Sequence, residues 1–353
     1  MAGKEKRRLV SFKIWDRDDQ RTERYVLEEF VVDGAGDGPH VVVVSGSHGD
    51  ELLAIDAAKR MYRELDPADV HGTVSFIPEA NMFAVAKGTR ETPVPEFEIY
   101  EDEERNLNRC FSSVDLEEKP EGNITERLAY HILDTVVSAD YCLDLHTATT
   151  PGYKVDQIRE KDDSKVETEV RKEQEQLVRN AGVPYILRTS TDTIGRGVLA
   201  GVAPRHGVPS VTVEIGGGMY TPTELDQYVQ VIRNLLITTG VIDGEQETGE
   251  QQVYEELVKI SAPTAGEYTK AAPPGDTVAR GDVIGRIEND DGEHEVTSPV
   301  DGLVESVHQE DWVNEGTKLG HIAVPEDTGI VADAVRALSR MLDGLLARAR
   351  TPS

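Results

Sequence analysis

The stretch His40-Val41-Val42-Val43-Val44-Ser45-Gly46-Ser47-His48-Gly49-Asp50-Glu51 decides the fold of the amino-terminal part of the chain. Its four consecutive valines are typical of a strand that is buried on both faces. From Glu51 to Leu65 the sequence ELLAIDAAKRMYREL places apolar residues at helical spacing. The stretch therefore predicts a strand, a tight loop that carries His48 and Glu51, and a helix.

Two weakly alternating segments within residues 1–32 predict two strands of an N-terminal hairpin or a sheet edge. Units similar to the strand, loop and helix at 40–65 follow it along the chain. The remaining patterns predict strands at 73–78, at 141–145, near Tyr185 and at 210–215, and helices at about 124–138, 170–181 and 222–240. Long polar segments at 88–122 and 147–165 are interpreted as functional loops. This alternation predicts an α/β catalytic domain over residues 1–243, with a mixed sheet flanked by helices.

After Gly240 the composition changes: residues 245–256 are rich in Glu and Gln, and short strand-like pieces separated by Gly and Pro follow them. The phrase at 262–266, APTAG, is weakly repeated at 298–302 as SPVDG. Two such copies predict a small all-β sandwich of two related halves over residues 257–326. An apolar pattern at 330–348 predicts a closing helix.

The 353 residues carry a strong excess of negative charge. There are 37 Lys and Arg against 66 Asp and Glu, which gives a formal net charge of −29. This excess argues against a nucleic-acid or anionic-membrane partner. The acidic residues are spread along the whole chain, which favours a halophilic protein whose self-repulsion is screened by salt.

The compartment is predicted from cysteine use and hydropathy. Only Cys110 and Cys142 are present, and they do not form a Cys-x-x-Cys pair. No stretch has the apolar length of a signal peptide core or a membrane span. These features predict a cytoplasmic protein.

His48 and Glu51 lie at a predicted strand-to-helix corner, where α/β proteins place their ligands. A third potential metal ligand, His146, ends the predicted strand in Leu143-Asp144-Leu145-His146. Two imidazoles and a carboxylate with an open fourth position fit a catalytic zinc site. Asp144 could orient the imidazole of His146. The alternative for His146 is a buried histidine with a structural role.

Further chemistry is suggested by a carboxylate and two arginines. Glu214 ends the apolar strand Val211-Thr212-Val213 before three glycines, where it could serve as a general base or simply begin an exposed loop. Arg90 and Arg109 could bind a substrate carboxylate or an oxyanion. Alternatively, they could pair with the acidic residues at 101–104.

Taken together, the motifs GSHGDE, GTR with NLNRCF, DLHT and VEIGGG, in this order, resemble the succinylglutamate desuccinylase/aspartoacylase family of the zinc-carboxypeptidase-like fold. The resemblance implies one Zn²⁺ per chain, bound by His48, Glu51 and His146. It implies Glu214 as general base and then acid, and Arg90 as the residue that polarises the scissile carbonyl. The residues implied to hold a substrate carboxylate are Asn108 and Arg109.

The chain also departs from the family pattern. The segment between Arg90 and Asn108 is longer and more acidic than expected, and a further substrate-reading arginine is not evident in the motifs. Arg196 and Arg205 are the two candidates for it. The substrate is therefore left general, as a small anionic N-acyl amino acid.

The segment at 260–325 is similar to the biotinyl/lipoyl barrel-sandwich hybrid. Its hairpin tip reads Asn289-Asp290-Asp291-Gly292, without the modifiable Lys of a carrier. A similar β-domain accompanies family members that resemble N-acetyl-diaminobutyrate deacetylase. The resemblance leaves open whether this domain shapes the site entrance or builds a homo-oligomer.

The predicted function is zinc-dependent hydrolysis of the amide bond of an N-acyl amino acid. One alternative is a metallocarboxypeptidase that cleaves short peptides, because it would share the metal ligands. The other is a non-catalytic metal-binding module whose β-domain recruits a partner.

Overall fold

The computed structural model describes residues 3–16, 21–93, 104–120, 123–148, 152–190, 197–217, 219–309 and 311–326. These residues fall into two compact units. Unit 1 contains residues up to 148 and from Asp156 to Gln251, and unit 2 contains residues 152–155 and from Gln252 to 326. The predicted helix at 330–348 lies outside the described residues. Within the described part of the chain, no helix is long and apolar enough to cross a membrane.

The strands are β1 (Gly3–Asp16), β2 (Arg21–Asp33), β3 (His40–Val44), β4 (Thr73–Ile77), β5 (Tyr141–Ala148), β6 (Gly152–Lys154), β7 (Gln157–Asp162), β8 (Tyr185–Ser190), β9 (Ser210–Gly217), β10 (Gln252–Ser261), β11 (Gly266–Lys270), β12 (Thr277–Val278), β13 (Val283–Asn289), β14 (Gly292–Thr297), β15 (Gly302–His308), β16 (Asp311–Val313) and β17 (Lys318–Pro325). The α-helices are α1 (Leu52–Glu64), α2 (Met82–Lys87), α3 (Leu107–Cys110), α4 (Ile124–Val136), α5 (Thr168–Asn180), α6 (Leu199–Val202) and α7 (Pro222–Thr238). Short 3-10 turns lie at Pro67–Asp69, Phe111–Ser113 and Ala203–His206.

Unit 1 is built on a mixed sheet in the order β1-β2-β4-β3-β5-β9-β7-β8. The pairs around β3 and β5 are parallel, whereas β1, β2 and the β7/β9 pair are antiparallel. The valines of β3 are inaccessible to solvent, as expected for a strand covered on both faces. The mixed α/β sheet predicted from the sequence is confirmed.

Helices cover the two faces of this sheet. Helix α1 buries an apolar face that includes Leu53, Ile55 and Met61, and it packs beside α7. A second buried cluster joins α4 to the side chains of Val42 and Val44. Because alternate residues of a strand face opposite sides, the even-numbered valines of β3 serve one core and the odd-numbered valines the other.

The segment at 147–165, interpreted from sequence as a loop, contains β6 and β7. Strand β7 lies between β8 and β9, so both of its backbone edges are hydrogen-bonded within the sheet. Its sequence QIREKD has a single apolar residue, Ile158, and two of its charged side chains, Arg159 and Glu160, form ion pairs. The hydrophobic pattern therefore could not reveal this strand.

In the described residues of unit 2, all regular secondary structure is β-strand. One layer has the order β10-β17-β15-β12, with β6 paired to β15, and the other has the order β14-β13-β11-β16. The two copies of the repeated phrase end at Gly266 and Gly302, which begin β11 and β15. At each of these glycines a Cβ would lie 2.4 Å from a carbonyl oxygen of a neighbouring strand, so the repeat marks two equivalent close approaches of backbone.

Candidate functional site

The three predicted metal ligands converge at the carboxyl ends of two neighbouring parallel strands. His48 and Glu51 lie between β3 and α1, and His146 lies on β5, which pairs directly with β3. The side chains of all three are buried. The loop between β3 and α1 must run close to other backbone, since a Cβ at Gly49 would lie 2.0 Å from the Ala84 carbonyl carbon. Glycine at this position allows the loop to bring His48 and Glu51 together.

The carboxylate of Glu51 bridges the two imidazoles. Its Oε1 lies 2.7 Å from His48 Nδ1, and its Oε2 lies 2.8 Å from His146 Nδ1. One potential ligand atom from each residue lies within 4.8 Å of the others. The backbone N–H of Thr147 also donates to Glu51 Oε2, at 3.2 Å. The predicted ligand set is thus a compact group of two imidazole nitrogens and a carboxylate.

The opposite nitrogen of each imidazole faces a fixed polar partner. His48 Nε2 lies 3.0 Å from Asn106 Oδ1, and His146 Nε2 lies 3.1 Å from Asp144 Oδ1. A proton on His48 Nε2 would be donated to Asn106 Oδ1, which leaves the Nδ1 lone pair of His48 directed toward Glu51. The Asp144 carboxylate contacts the imidazole of His146 by charge, and the hydrogen-bond partner of His146 Nε2 is the side-chain amide of Asn108. Asp144 therefore lies beside the imidazole of His146, and the orienting role suggested by the sequence stays a prediction.

The charges of the site favour a bound cation. Burial opposes protonation of His146, but the carboxylates of Asp144 and Glu51 outweigh it and raise the pKa of His146 to about 10. Burial likewise opposes ionisation of Glu51, yet His48 and His146 hold the pKa of Glu51 well below its usual range. Two buried carboxylates beside two imidazoles are stable only with positive charge close to them. Zinc, which binds imidazole and carboxylate in three-ligand catalytic sites, fits this donor set.

Glu214 lies next to the ligand group. In the parallel pair of β5 and β9, Glu214 is the register partner of His146, and its side chain is almost completely buried. Tyr228 of α7 donates its hydroxyl hydrogen to the His146 carbonyl oxygen at 2.8 Å and lies 3.3 Å from the Val213 carbonyl oxygen. This tyrosine joins the strand of a metal ligand to the strand of Glu214.

The arginines and Asn108 lie around the same group. Arg90 Nη1 is 3.2 Å from Glu51 Oε1, and the Arg90 side chain is partly exposed. Asn108 lies with Nδ2 3.0 Å from His146 Nε2, and its Oδ1 accepts a hydrogen bond from Leu199 N at 2.9 Å. Arg109 Nη1 donates to the Asn108 carbonyl oxygen at 2.6 Å. The structure thus brings these three predicted residues to the edge of the ligand group.

Burial lowers the pKa of Arg109, and the nearby guanidinium groups of Arg90 and Arg159 act in the same direction, against the attraction of Glu104 and Glu214. The guanidinium groups of Arg90 and Arg159 are therefore close enough to Arg109 to disfavour its charged form, and the nearby carboxylates offset part of this effect. The carboxylate of a small molecule is a ligand that Arg90 and Arg109 could accept.

Of the two further arginines considered from sequence, Arg205 donates from Nε to Asp163 Oδ2 at 2.7 Å. Arg196 lies outside the described residues.

Two other residues at the site were given no role by the sequence analysis. Arg159 Nη2 lies 3.3 Å from Glu214 Oε1, and Asn106 Oδ1 accepts from Asn108 N at 3.0 Å in addition to facing His48. The pattern Asn-Leu-Asn at the start of a short helix could have signalled Asn106 as a cap, but no sequence signal marked Arg159.

Comparison with known proteins gives relatives for most of the chain. The chain is 29% identical over 262 residues to N-alpha-acetyl-L-2,4-diaminobutyric acid deacetylase from Halomonas elongata, and the aligned region covers 71% of each protein. The crystal structure of a succinylglutamate desuccinylase from Silicibacter sp. TM1040 has a TM-score of 0.79 at 21% identity, covering 92% of this chain and 96% of that one. The product-bound structure of the ectoine utilization protein EutE (DoeB) from Ruegeria pomeroyi has a TM-score of 0.77 at 22% identity. The match covers 89% of this chain and 95% of that one.

Family matches divide the chain into two parts. Residues 258–322 match the biotin/lipoyl family described as biotin-requiring enzyme. Residues 37–238, more than half of the chain, match the succinylglutamate desuccinylase/aspartoacylase catalytic domain and contain all of the site residues discussed above. The chain therefore belongs to the succinylglutamate desuccinylase/aspartoacylase family.

Proposed function

We propose that this protein hydrolyses the amide bond of a small anionic N-acyl amino acid, with one zinc ion per chain held by His48, Glu51 and His146. The observation that carries the proposal is the buried ligand group with Glu214 beside it and arginines at its edge. Membership of the family and the likeness to a deacetylase of an acetylated amino acid support it.

A zinc ion held by His48, Glu51 and His146 would supply a Lewis acid for the scissile carbonyl and would lower the pKa of bound water to about 7. Glu214 takes a proton from the attacking water and delivers it to the nitrogen of the leaving amine. Its buried position at the end of β9 keeps the carboxylate close to the ligand group and away from competing bulk water.

The arginines have separate roles in this proposal. Arg90, partly exposed and beside Glu51, stabilises the negative charge that develops on the carbonyl oxygen. Arg109 and Asn108 hold the carboxylate of the amino acid, and the bond from Arg109 to the Asn108 carbonyl fixes their mutual arrangement. Because the protein carries a net charge of −29, these local cations are needed to attract an anionic substrate.

Amine release from a panel of acetyl, succinyl and formyl amino acids, including N-acetyl-diaminobutyrate, tests the function directly. We expect kcat/KM for at least one N-acyl amino acid to exceed that for unblocked short peptides by about 10²-fold or more, since each hydrogen-bonded group that a site requires gives large discrimination. The assays are run at low salt and at about 1 M salt, because the acidic surface is expected to need screening. Faster cleavage of peptides would instead identify a carboxypeptidase.

A second prediction concerns the support of the metal ligands. Asp144→Asn keeps the shape of the side chain but removes the negative charge that faces His146 Nε2, so we expect zinc affinity to fall by about 10- to 100-fold. The measurement is a competition titration against a chromophoric chelator. The matched control is Asp140→Asn, because Asp140 precedes the same strand and accepts a hydrogen bond from His40 N. Equal zinc affinity in both variants would contradict a supporting role for Asp144.

A further inference from the structure

Arg159 and Glu214 lie on neighbouring antiparallel strands, β7 and β9. Gln157 is the register partner of Glu214, and Arg159 is the register partner of Thr212. Arg159 and Glu214 are thus a diagonal pair, and side chains in this relation project from the same face of a sheet. The sheet register therefore brings the guanidinium to the carboxylate, although the two residues are 55 positions apart in the sequence.

The contact between these two side chains is an ion pair in a largely buried place. Arg159 Nη2 lies 3.3 Å from Glu214 Oε1, and the two side chains are 12% and 9% exposed. At such low exposure the attraction between opposite charges is less screened than on the surface. Long, flexible surface ion pairs do not fix a side chain in this way.

The segment around β7 also holds the backbone that follows Glu214. Asp156 Oδ1, from the residue before β7, accepts a hydrogen bond from Gly216 N at 3.0 Å. Gly216 has a φ of +65°, and the pairing of β9 with β5 shifts register directly after Glu214. One short segment therefore contacts both the side chain of Glu214, through Arg159, and the irregular backbone that follows it, through Asp156.

We propose that Arg159 is a positioning residue that fixes the carboxylate of Glu214 for proton transfer. This inference rests on the proposed function, in which Glu214 is the base. Arg159 acts on the reaction through Glu214 and not by binding the substrate. Its removal should therefore lower kcat and leave substrate binding largely intact.

Three variants test this role: Arg159→Met, Arg159→Lys and the control Arg188→Met. Arg188 Nε lies 2.8 Å from Glu160 Oε2, so the control removes an arginine–carboxylate pair between β7 and β8. We expect Arg159→Met to lower kcat by about 10²-fold, the size of effect that a misplaced catalytic group produces, with KM within about twofold of the wild type. Arg159→Lys should recover part of the loss, and Arg188→Met should match the wild type, with zinc content equal in all four proteins. A raised KM at unchanged kcat in Arg159→Met would overturn the proposal and indicate substrate binding.

A double-variant cycle with Glu214→Gln shows whether Arg159 acts through Glu214. In the Glu214→Gln protein, adding Arg159→Met should lower kcat no further, whereas independent roles would multiply the two losses and overturn the proposal. Full activity of Glu214→Gln would overturn both this inference and the assignment of the base. Inactive Glu214→Gln together with wild-type kinetics in Arg159→Met would overturn the role of Arg159 alone.

Discussion

Glu214→Gln is expected to lower kcat by about 10³-fold while zinc content stays at one ion per chain, because a general base contributes about 10² to 10⁴ in rate. Glutamine fills the same volume beside Arg159 and keeps an oxygen as hydrogen-bond acceptor, but it cannot take a proton from water. Since Glu214 is a register neighbour of His146 and not one of the three proposed zinc ligands, its loss should not release the metal. The measurements are kcat from amine release and zinc from metal analysis of the purified protein.

The matched control for this variant is Glu175→Gln. Glu175 is an exposed residue of α5, and its carboxylate accepts hydrogen bonds from Arg179 at 3.2 and 2.6 Å. Such surface pairs contribute little to stability, so kcat and KM should match those of the wild type. Undiminished kcat in Glu214→Gln would show that another group moves the proton.

The part of the site that could be predicted from sequence is the part encoded by local patterns. The valine run before His48 and Glu51 predicted a buried strand that ends at the ligand edge of the sheet, and the structure confirms the strand. His146 follows a second apolar strand, and parallel neighbours in a sheet end at the same edge. These two facts were enough to predict that His48, Glu51 and His146 lie close together, without any knowledge of their distances.

The partners of these residues could not be predicted, because they depend on the register of distant strands. Arg159 meets Glu214 only because β7 inserts between β8 and β9, and the polar sequence of β7 gave no strand pattern. Asn106 reaches His48 across 58 residues of sequence, through a cap of the four-residue helix α3. Contacts of this kind are set by tertiary packing and leave no periodic signal along the chain.

Treatment with a strong chelator is expected to abolish amide hydrolysis, and readdition of zinc should restore it. Without a divalent cation, the Nδ1 atoms of His48 and His146 keep only protons between themselves and the carboxylate of Glu51, and these supply no Lewis acid. Because zinc binds the folded state, it should also raise the free energy of unfolding, by about 4 kcal/mol at a free concentration of 1,000 times Kd. Thermal unfolding with and without zinc measures this gain independently of activity.

His146→Ala separates the metal site from any general effect of the chelator. This variant removes one of three ligands, so its zinc affinity should fall by more than the 10- to 100-fold expected for loss of an outer partner, and zinc should no longer raise Tm. His71→Ala is the matched control, since His71 is a surface residue whose Nε2 lies 2.9 Å from Asp243 Oδ2. Zinc should still raise the Tm of this control. A metal-free wild-type protein that hydrolyses the substrate at full rate would contradict the zinc mechanism, whereas zinc binding without hydrolysis of any acyl amino acid would favour a non-catalytic metal module.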